Sequence, residues 1–287
     1  MKKLFLVIFA IIGLCGTAAA ESSVWVVRQG GFVTYLGGTC HVLRQDDYPL
    51  PVEFERAYQT AERIVFEADP GQMNSPQMQQ LLARKAFYLD GTTLEQVLEP
   101  ATYQLLQDYC QRSNLPLNVI ARLKPAMAAL TLLSMELQRL GINQGGVDLY
   151  YYQRAAADGK GREALETMEQ QVEFMLGMAE GREDRFMQHS IAELERLDEV
   201  FDGLIAAWRN GDEEIIAKLV AADFKDQFPE IFRTLFSERN AAWLSSLEKY
   251  IASPETELIL VGVGHLVGDD GLLAELRKRG FRVEKLP

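Results

Sequence analysis

The stretch that decides the fold is Leu258-Ile259-Leu260-Val261-Gly262-Val263-Gly264-His265, near the carboxyl end of the chain. Its first four residues form a continuous apolar run, which is typical of a strand buried on both faces of a sheet. A Gly-x-x-His turn follows this run directly. Because glycine permits a sharp turn of the backbone, the histidine is predicted to lie at the carboxyl end of the strand.

The same arrangement occurs at the other end of the chain. There Gly38-Thr39-Cys40-His41 follows a β-rich run from Phe32 to Leu36. A second β-rich run, Val24 to Val27, is joined to it through Gly30-Gly31, which predicts a β-hairpin. Both Gly-x-x-His turns are therefore predicted to follow strands.

The remaining pattern predicts an α/β fold of an α+β-like kind. Short strands are also predicted at Ile64 to Phe66 and at Phe281 to Leu286, whereas about Ala101 to Leu140 and Pro229 to about Ile251 are helical in pattern. Strands thus cluster at the two ends of the sequence and helices fill its middle. We expect one central mixed sheet that joins both chain ends, covered by a large helical insertion, and leave the strand order open.

Composition excludes one class of partner. The 287 residues are 48% hydrophobic and 24% charged, which is ordinary for a globular protein, and the formal net charge is −12. Binding to a phosphate backbone needs clustered lysine and arginine. Nucleic acid is therefore not an expected partner.

The first twenty residues have the pattern of a secretory signal peptide. A basic start at Lys2-Lys3 precedes an apolar run from Leu4 to Cys15, and Ala18-Ala19-Ala20 offers a cleavage site of small residues. We therefore predict a signal peptide at residues 1–20 and a single domain at residues 21–287. No later apolar run is long enough to span a bilayer, so we expect export to the periplasm without a membrane span in the mature chain.

Two of the three histidines share the Gly-x-x-His frame. Glycine makes up 22 of 287 residues, so one such match arises by chance in roughly 8% of cases, and two of three in about 2%. In α/β folds, turns at the carboxyl ends of strands carry the ligand-binding groups. His41 and His265 are therefore predicted to face one pocket, although each alone is also compatible with a structural histidine hydrogen-bonded at a strand end.

A carboxylate is predicted to join them. Glu67 ends the apolar run at Ile64 to Phe66. Two histidines and one glutamate are a known ligand set for a catalytic divalent metal that keeps one position open for water. Glu67 acting as a general base without metal, and a solvated carboxylate at a strand end, remain the alternatives.

Two polar residues lie on or beside an apolar helix face. The helix after Pro229 carries an apolar stripe at Phe232, Phe236 and Trp243, and its spacing places Arg239 and Asn240 next to that stripe. Such groups must find partners. They are predicted either to orient a site carboxylate or bind substrate, or to form a salt bridge between packed helices.

Four other residues are given structural interpretations. Asp148 is predicted to be the N-terminal cap of a helix, and His189, among charged neighbours, a surface residue. Cys40 is not expected to be a nucleophile, because nothing in its surroundings predicts a lowered thiol pKa. Cys40 and Cys110 are compatible with a disulfide and equally with two separate buried thiols.

Beyond these patterns, the chain resembles the TraB/GumN (Tiki-like) family over nearly all of its length after residue 20. The residues that carry the resemblance are Tyr35 to Val42 with Pro49-Leu50-Pro51, Ala61 to Asp69, Gly146-Val147-Asp148, Glu238-Arg239-Asn240, Val261 to Gly268, and Gly271 to Val283. One departure is Cys40, at a motif position that is often aliphatic.

The resemblance implies a fold and a site. Members have two Gly-x-x-His motifs and an acidic residue, and their fold is linked to erythromycin esterases and haem-binding ChaN-like proteins. Animal Tiki members are Mn²⁺- or Co²⁺-dependent peptidases. Carried over to this chain, the site comprises His41, His265 and Glu67 as metal ligands, Arg239 and Asn240 in support, and the motif glycines Gly38 and Gly262.

Three functions follow as hypotheses. The first is an exported metal-dependent hydrolase, specifically a metallopeptidase using Mn²⁺ or Co²⁺ rather than Zn²⁺ on a peptide or small-molecule substrate. The second is a metal-free, esterase-like hydrolase in which a histidine activates water. The third is a non-enzymatic regulatory protein that binds haem, a metal or a peptide.

Overall fold

The computed structural model describes residues 22–287, and for residues 221–224 it describes the backbone alone. The predicted signal peptide, residues 1–20, lies outside the described residues. The strands are β1 (Val24–Gln29), β2 (Phe32–Thr39), β3 (Val42–Leu43), β4 (Arg63–Phe66), β5 (Gln144–Gly145), β6 (Gly161–Ala164), β7 (Glu257–Gly262) and β8 (Arg282–Lys285).

Helices make up most of the remainder. They are α1 (Val52–Thr60), α2 (Pro76–Lys85), α3 (Leu94–Val97), α4 (Pro100–Arg112), α5 (Leu117–Ile120), α6 (Pro125–Arg139), α7 (Val147–Asp158), α8 (Met168–Gly177), α9 (Glu183–Leu194), α10 (Leu197–Asn210), α11 (Glu213–Ala217), α12 (Asp223–Gln227), α13 (Pro229–Phe232), α14 (Glu238–Ile251), α15 (Val263–Leu266) and α16 (Leu272–Lys278). Short 3-10 turns lie at Gln45–Asp47 and Pro70–Gln72, and π-helical turns at Lys218–Ala222 and Arg233–Ser237.

One mixed sheet joins both ends of the chain, as predicted. Its strand order is β6-β4-β7-β2-β1-β8. Strands β6, β4, β7 and β2 run parallel, and β1 is antiparallel to both β2 and β8. All six residues of β7 are buried, because this strand lies between β4 and β2 and is covered on both faces.

The predicted hairpin is confirmed. Strands β1 and β2 pair from Val24 with Gly37 to Gln29 with Phe32. The turn between them uses Gly30 and Gly31, whose φ angles are +57° and +97°. Only glycine adopts two such values in succession without steric cost, so the sequence determines the position of this turn.

The helical insertion lies between β4 and β7 and has apolar packing of its own. Leu106 of α4, Leu132 of α6 and Met187 of α9 belong to a buried cluster separate from the one around the sheet. No helix in residues 22–287 is long and apolar enough to cross a bilayer. The two cysteines in this part of the chain, Cys40 and Cys110, are free and buried.

Most strands lie near the two ends of the chain, as predicted, but the predicted helical middle also contains two short strands, β5 and, in the central sheet, β6. This strand falls in the middle of the sequence, and all four of its residues are exposed. Gly161-Arg162-Glu163-Ala164 contains no β-branched or aromatic residue, so the sequence pattern does not indicate a strand. Pairing with β4 creates it, from Arg63 with Gly161 to Phe66 with Ala164.

Candidate functional site

The three predicted site residues follow three adjacent parallel strands. Glu67 comes directly after β4, and His265 lies in the short helix after β7. His41 is the second residue after the end of β2. Strand β7 pairs with both neighbours, up to Phe66 opposite Leu260 and Thr39 opposite Gly262. Because parallel strands end at the same edge of a sheet, the fold brings these residues together.

His265 is almost completely buried, and its ring has a defined tautomer. Asn240 Oδ1 lies 2.8 Å from Nδ1 of His265, and Asn240 Nδ2 donates to the His265 carbonyl oxygen at 3.2 Å. An amide oxygen can only accept, so Nδ1 carries the proton, and the lone pair of Nε2 accepts a hydrogen bond from Arg239 Nη1 at 2.9 Å. Burial lowers the pKa of His265 to about 3, so the ring is neutral at pH 7.

Aromatic rings hold His265 in place. The ring centroid of Trp243 lies 4.6 Å from that of His265, and the centroid of Phe236 lies 5.0 Å away. All three side chains belong to α14, the π-helical turn before it and α15. The apolar stripe predicted on this helix therefore packs against the histidine as well as the core.

His41 is held in the same way but faces solvent. Oδ2 of Asp148 lies 2.9 Å from Nδ1 of His41, and Oδ1 of the same carboxylate accepts from Thr39 Oγ1 at 2.9 Å. The negative charge of Asp148 raises the pKa of His41 above its ordinary value. The side chain is 62% exposed, so its Nε2 is accessible to a substrate.

Gly146 explains why Asp148 reaches His41. The amide of Gly146 donates to the carbonyl oxygen of His41 at 2.9 Å, and Val147 N donates to Cys40 O at 3.1 Å. A Cβ at Gly146 would lie only 2.0 Å from Cys40 O. Glycine at this position therefore allows the start of α7 to lie directly against the turn that carries His41.

Glu67 accepts three hydrogen bonds while 5% exposed. Gly262 N donates to Oε1 at 2.6 Å, and Arg239 Nη2 and Gln171 Nε2 donate to Oε2 at 2.7 and 3.0 Å. Burial alone would raise the pKa of Glu67. The positive charges of His41 and Arg239 and the hydrogen bond from the Gly262 amide outweigh burial, so the pKa of Glu67 lies below its ordinary value and the group is ionised.

Arg239 connects three of the site groups. Its guanidinium donates to Glu67, forms two hydrogen bonds with Glu166 at 2.6 and 3.0 Å, and places Nη1 2.9 Å from His265 Nε2. Its carbon Cζ lies 4.7 Å from the ring centroid of Trp243. One buried cation thus compensates two buried carboxylates, which would otherwise be costly.

The donor chemistry fits a divalent cation. Each histidine is held at Nδ1 by an outer partner, as in ligating histidines, and Nε2 is the atom that could bind an ion once Arg239 no longer contacts His265. Nε2 of His265 is 3.8 Å from Glu67 Oε1. A Cβ on Gly262 would lie 3.1 Å from both Glu67 Oε1 and His41 Nε2, so this glycine leaves room between two donors.

The described side chains, as placed, do not form a metal site. Across residues 22–287, no three His, Cys, Asp or Glu side chains stand close enough to hold a metal together. Arg239 Nη1 contacts the Nε2 atom of His265 that a cation would need. An ion bound at Nε2 of His265 would have to displace this contact.

Two structural predictions about individual residues are wrong. The position before the first turn of α7 belongs to Gly146, and Asp148 is the second residue of the helix, where its side chain is turned to His41. His189 is 9% exposed, and its ring lies 5.1 Å from that of Phe228. Although its sequence neighbours are charged, His189 shares a helix face with the buried Phe186 three residues earlier.

Three site residues were not found from the sequence. Asp148, Glu166 and Gln171 each contact a predicted site residue. The glycine pair before Asp148 was a usable signal, because it marks a close approach of two backbones. Cys40 remains excluded as a nucleophile, since burial raises the pKa of its thiol well above the ordinary value.

Comparison with known proteins gives one family. Residues 23–285 match the model described as the TraB/PrgY/gumN family. Neither the curated proteins nor the solved structures contain a match, so the likeness to erythromycin esterases and ChaN-like proteins stays a prediction. The family match spans all the strands of the sheet and the elements that carry His41, Glu67 and His265, and on this basis the chain belongs to the TraB/PrgY/gumN family.

Proposed function

We propose that this protein is a metal-dependent hydrolase whose site is formed by His41, Glu67 and His265. The observation that supports this most strongly is that both imidazole rings are hydrogen-bonded at Nδ1 by a side chain from another part of the fold. Asp148 and Asn240 each hold a ring at Nδ1, so that Nε2 is the nitrogen of each ring that could bind an ion. Such outer partners are characteristic of histidines that ligate a metal.

In this proposal the protein side chains divide the work. His41, Glu67 and His265 hold a divalent ion, Mn²⁺ or Co²⁺ rather than Zn²⁺, which when bound supplies an activated water and polarises a carbonyl. Asp148 and Asn240 fix the orientation of the rings. Arg239 forms salt bridges with both Glu67 and Glu166 in a buried setting, and after releasing His265 its Nη1 is available to a negatively charged reaction intermediate.

The proposed substrate is a peptide. The resemblance to Tiki-like peptidases motivates this choice, and the exposure of the His41 side chain, 62%, supports it. A site that opens to solvent beside a sheet edge can accept a long chain, whereas a small-molecule site usually encloses most of its ligand.

The test combines metal binding with hydrolysis. Mn²⁺, Co²⁺ and Zn²⁺ are titrated into the purified protein, and cleavage of a peptide library is measured with and without each ion. His41→Ala, His265→Ala and Glu67→Gln should lose both properties. His189→Gln is the matched control, because His189 lies in α9 with its ring against Phe228. Equal metal binding by wild type and both alanine variants would refute the metal proposal.

One contact favours a second candidate, a metal-free hydrolase. Arg239 Nη1 already lies 2.9 Å from His265 Nε2, so a fixed cation contacts two of the three predicted ligands. In that case His41, oriented by Asp148, activates water as a general base only at pH values near or above its raised pKa of about 9, and Arg239 stabilises the developing negative charge. Hydrolysis that persists after prolonged dialysis against a strong chelator would select this candidate over the metal-dependent one.

We further propose that the protein acts after export, in the periplasm. This rests on the basic start, apolar run and small-residue site within residues 1–20. When the full sequence is expressed, the protein should be recovered in a periplasmic extract with its amino terminus at Glu21. Intact residues 1–20 on protein retained inside the cell would contradict the proposal.

A further inference from the structure

Two apolar side chains are exposed in the first turns of α7. Leu149 and Tyr150 are 40% and 39% exposed, and they directly follow Asp148, whose carboxylate contacts His41. A single apolar residue on a surface needs no explanation, whereas adjoining ones beside a candidate site indicate a place where a ligand binds. The position and the surroundings of this pair are therefore informative.

The direction of α7 places the pair at the same edge of the sheet as the candidate site. Helix α7 ends at Asp158, and β6 begins at Gly161, which pairs with Arg63 at the start of β4. The helix therefore runs from the carboxyl edge of the parallel strands to their amino edge. Its first turns, with Leu149 and Tyr150, lie at the edge where α/β folds bind their ligands.

Leu149 adjoins the turn that carries His41. A Cβ at Gly145 would lie 2.6 Å from Leu149 Cδ2, so this leucine covers the backbone of Gly145. Gly145 in turn pairs with Val42, the residue after His41. Because paired strands lie only about 5 Å apart, Leu149 is within reach of a peptide that occupies the site at His41.

Tyr48 extends the exposed apolar surface. Its hydroxyl donates to the carbonyl oxygen of Gly145 at 2.5 Å, and its ring centroid lies 5.7 Å from that of Tyr150. Tyr48, Leu149 and Tyr150 thus form an apolar shelf around Gly145. Since the Tyr48 hydroxyl is already bonded, the shelf offers mainly aromatic and aliphatic carbon, which suits an apolar group better than a charged one.

Two hydrogen bonds fix the loop that carries Tyr48. Arg209 of α10 donates to the carbonyl oxygens of the residues on either side of Tyr48, to Asp47 at 2.8 Å and to Pro49 at 3.3 Å. A surface that is fixed before binding loses little conformational entropy when a ligand binds. The arrangement of the loop therefore favours a preformed binding surface.

We propose that the apolar shelf is a specificity subsite, which binds an apolar or aromatic side chain of the peptide substrate close to the bond that is cleaved. This inference rests on the proposed function, because it names the substrate class of that same site. Binding removes apolar surface of the side chain and of the shelf from water. Peptides with such a side chain are therefore favoured over peptides with serine by about tenfold.

The test measures binding and cleavage separately in the mature protein. The probes are acetyl-Gly-Gly-Phe-Gly-Gly-amide and the same peptide with serine or lysine in place of phenylalanine. Binding is followed through the NMR signals of the Leu149 methyl groups and the His41 ring, and hydrolysis through product formation. The phenylalanine probe should shift both sets of signals saturably and bind about tenfold more tightly than the serine probe.

Three variants test the role of the shelf, with binding followed at the His41 ring. Leu149→Ser should reduce the preference for phenylalanine over serine to about threefold or less. Leu89→Ser is the matched control, because it removes an exposed leucine from the helical insertion, and it should keep the wild-type preference. Leu149→Glu adds a carboxylate near the start of a helix, where negative charge is stabilising. It should bind the lysine probe more tightly than the phenylalanine probe, a reversal that loss of structure cannot produce.

The outcomes distinguish this inference from the proposed function. Saturable shifts that favour phenylalanine, without any hydrolysis, support the shelf and count against the hydrolase. Hydrolysis of the phenylalanine and serine probes with equal kcat/KM and unmoved Leu149 signals overturns the shelf and leaves the hydrolase standing. Equal loss of preference in Leu149→Ser and Leu89→Ser, or unmoved Leu149 signals with the phenylalanine probe at about 10 mM, also overturns the shelf.

Discussion

The carboxylate of Asp148 lies 2.9 Å from Nδ1 of His41, although 107 positions separate the two residues in the sequence. The contact joins the second residue of α7 to the turn after β2. A matching contact joins Asn240 to His265 at 2.8 Å. The histidines of the two Gly-x-x-His motifs therefore share one arrangement, in which a side chain from a helix distant in sequence contacts Nδ1 and fixes the orientation of the ring.

From this contact we expect that replacing Asp148 affects metal binding and hydrolysis more than it affects the stability of the fold. Asp148→Asn keeps the size of the side chain but removes the charge that favours a proton on Nδ1 of His41. We expect metal affinity or hydrolysis to fall by about 10- to 100-fold, as for other outer partners of metal-binding histidines. Isothermal titration with Mn²⁺ and steady-state hydrolysis measure the two effects.

The control for Asp148 is Asp46→Asn. Asp46 is exposed and lies only a few residues from His41 in sequence. The substitution Asp46→Asn therefore removes one negative charge from this part of the chain without changing the partner of the His41 ring. Wild-type values are expected for it. Equal losses in both variants would mean that net charge, and not the orientation of His41, is responsible.

Gly262 gives a steric prediction. Its φ of −49° and ψ of 132° are accessible to any residue, so Gly262→Ala introduces no backbone strain. The new Cβ would lie 3.1 Å from Glu67 Oε1 and from His41 Nε2. We expect loss of metal binding and hydrolysis, with a decrease of about 1–3 kcal/mol in the free energy of unfolding.

Gly177→Ala is the matched control, because a Cβ at Gly177 meets nothing within 4 Å. It should retain full activity and gain slightly in stability, since alanine favours a helix more than glycine does. Full activity in Gly262→Ala would show that the space between Glu67 and His41 is not needed for function.

Arg239 gives a prediction about stability. Arg239→Met retains the length of the side chain but leaves Glu67 and Glu166 without their buried cation. We expect the free energy of unfolding, measured in urea at pH 7, to fall by about 3–5 kcal/mol. Adding Glu166→Gln to Arg239→Met should restore part of this loss, because one uncompensated charge is removed.

The loss in Arg239→Met should depend on pH. Without Arg239, burial raises the folded-state pKa of the two carboxyl groups above their values in the unfolded chain. Each then destabilises the fold when ionised and ceases to do so when protonated. The difference from wild type should shrink as the pH falls from 7 toward 4. A difference that stays constant over this range would contradict the assignment of the loss to buried carboxylates.

Much of the fold could be predicted from local patterns. The continuous apolar run of β7, the glycine pair of the hairpin and the proline that opens α13 each have a local cause, and each is confirmed. The position of His41, Glu67 and His265 at one sheet edge also follows, because each residue comes after a strand.

The outer part of the site could not be predicted, since its causes are not local. Asp148 reaches His41 only because Gly146 packs against the turn after β2. Glu166 reaches Arg239 because it follows β6, a strand without any β-forming residues. No periodicity or spacing in the sequence marks contacts that depend on the pairing of distant segments.

Cys40 gives a final prediction, because it directly precedes His41 and carries a thiol, a group that is a nucleophile in some hydrolases. Its side chain is 7% exposed, so iodoacetamide should not label it in the native protein, whereas both Cys40 and Cys110 should react after unfolding. Cys40→Ala should keep hydrolysis within about twofold of wild type and cost about 1 kcal/mol of stability. Cys110→Ala, in the helical cluster, is the control for simple loss of a buried thiol. Loss of hydrolysis in a folded Cys40→Ala variant, with Cys110→Ala active, would place the thiol in the reaction and require a covalent mechanism instead of activated water.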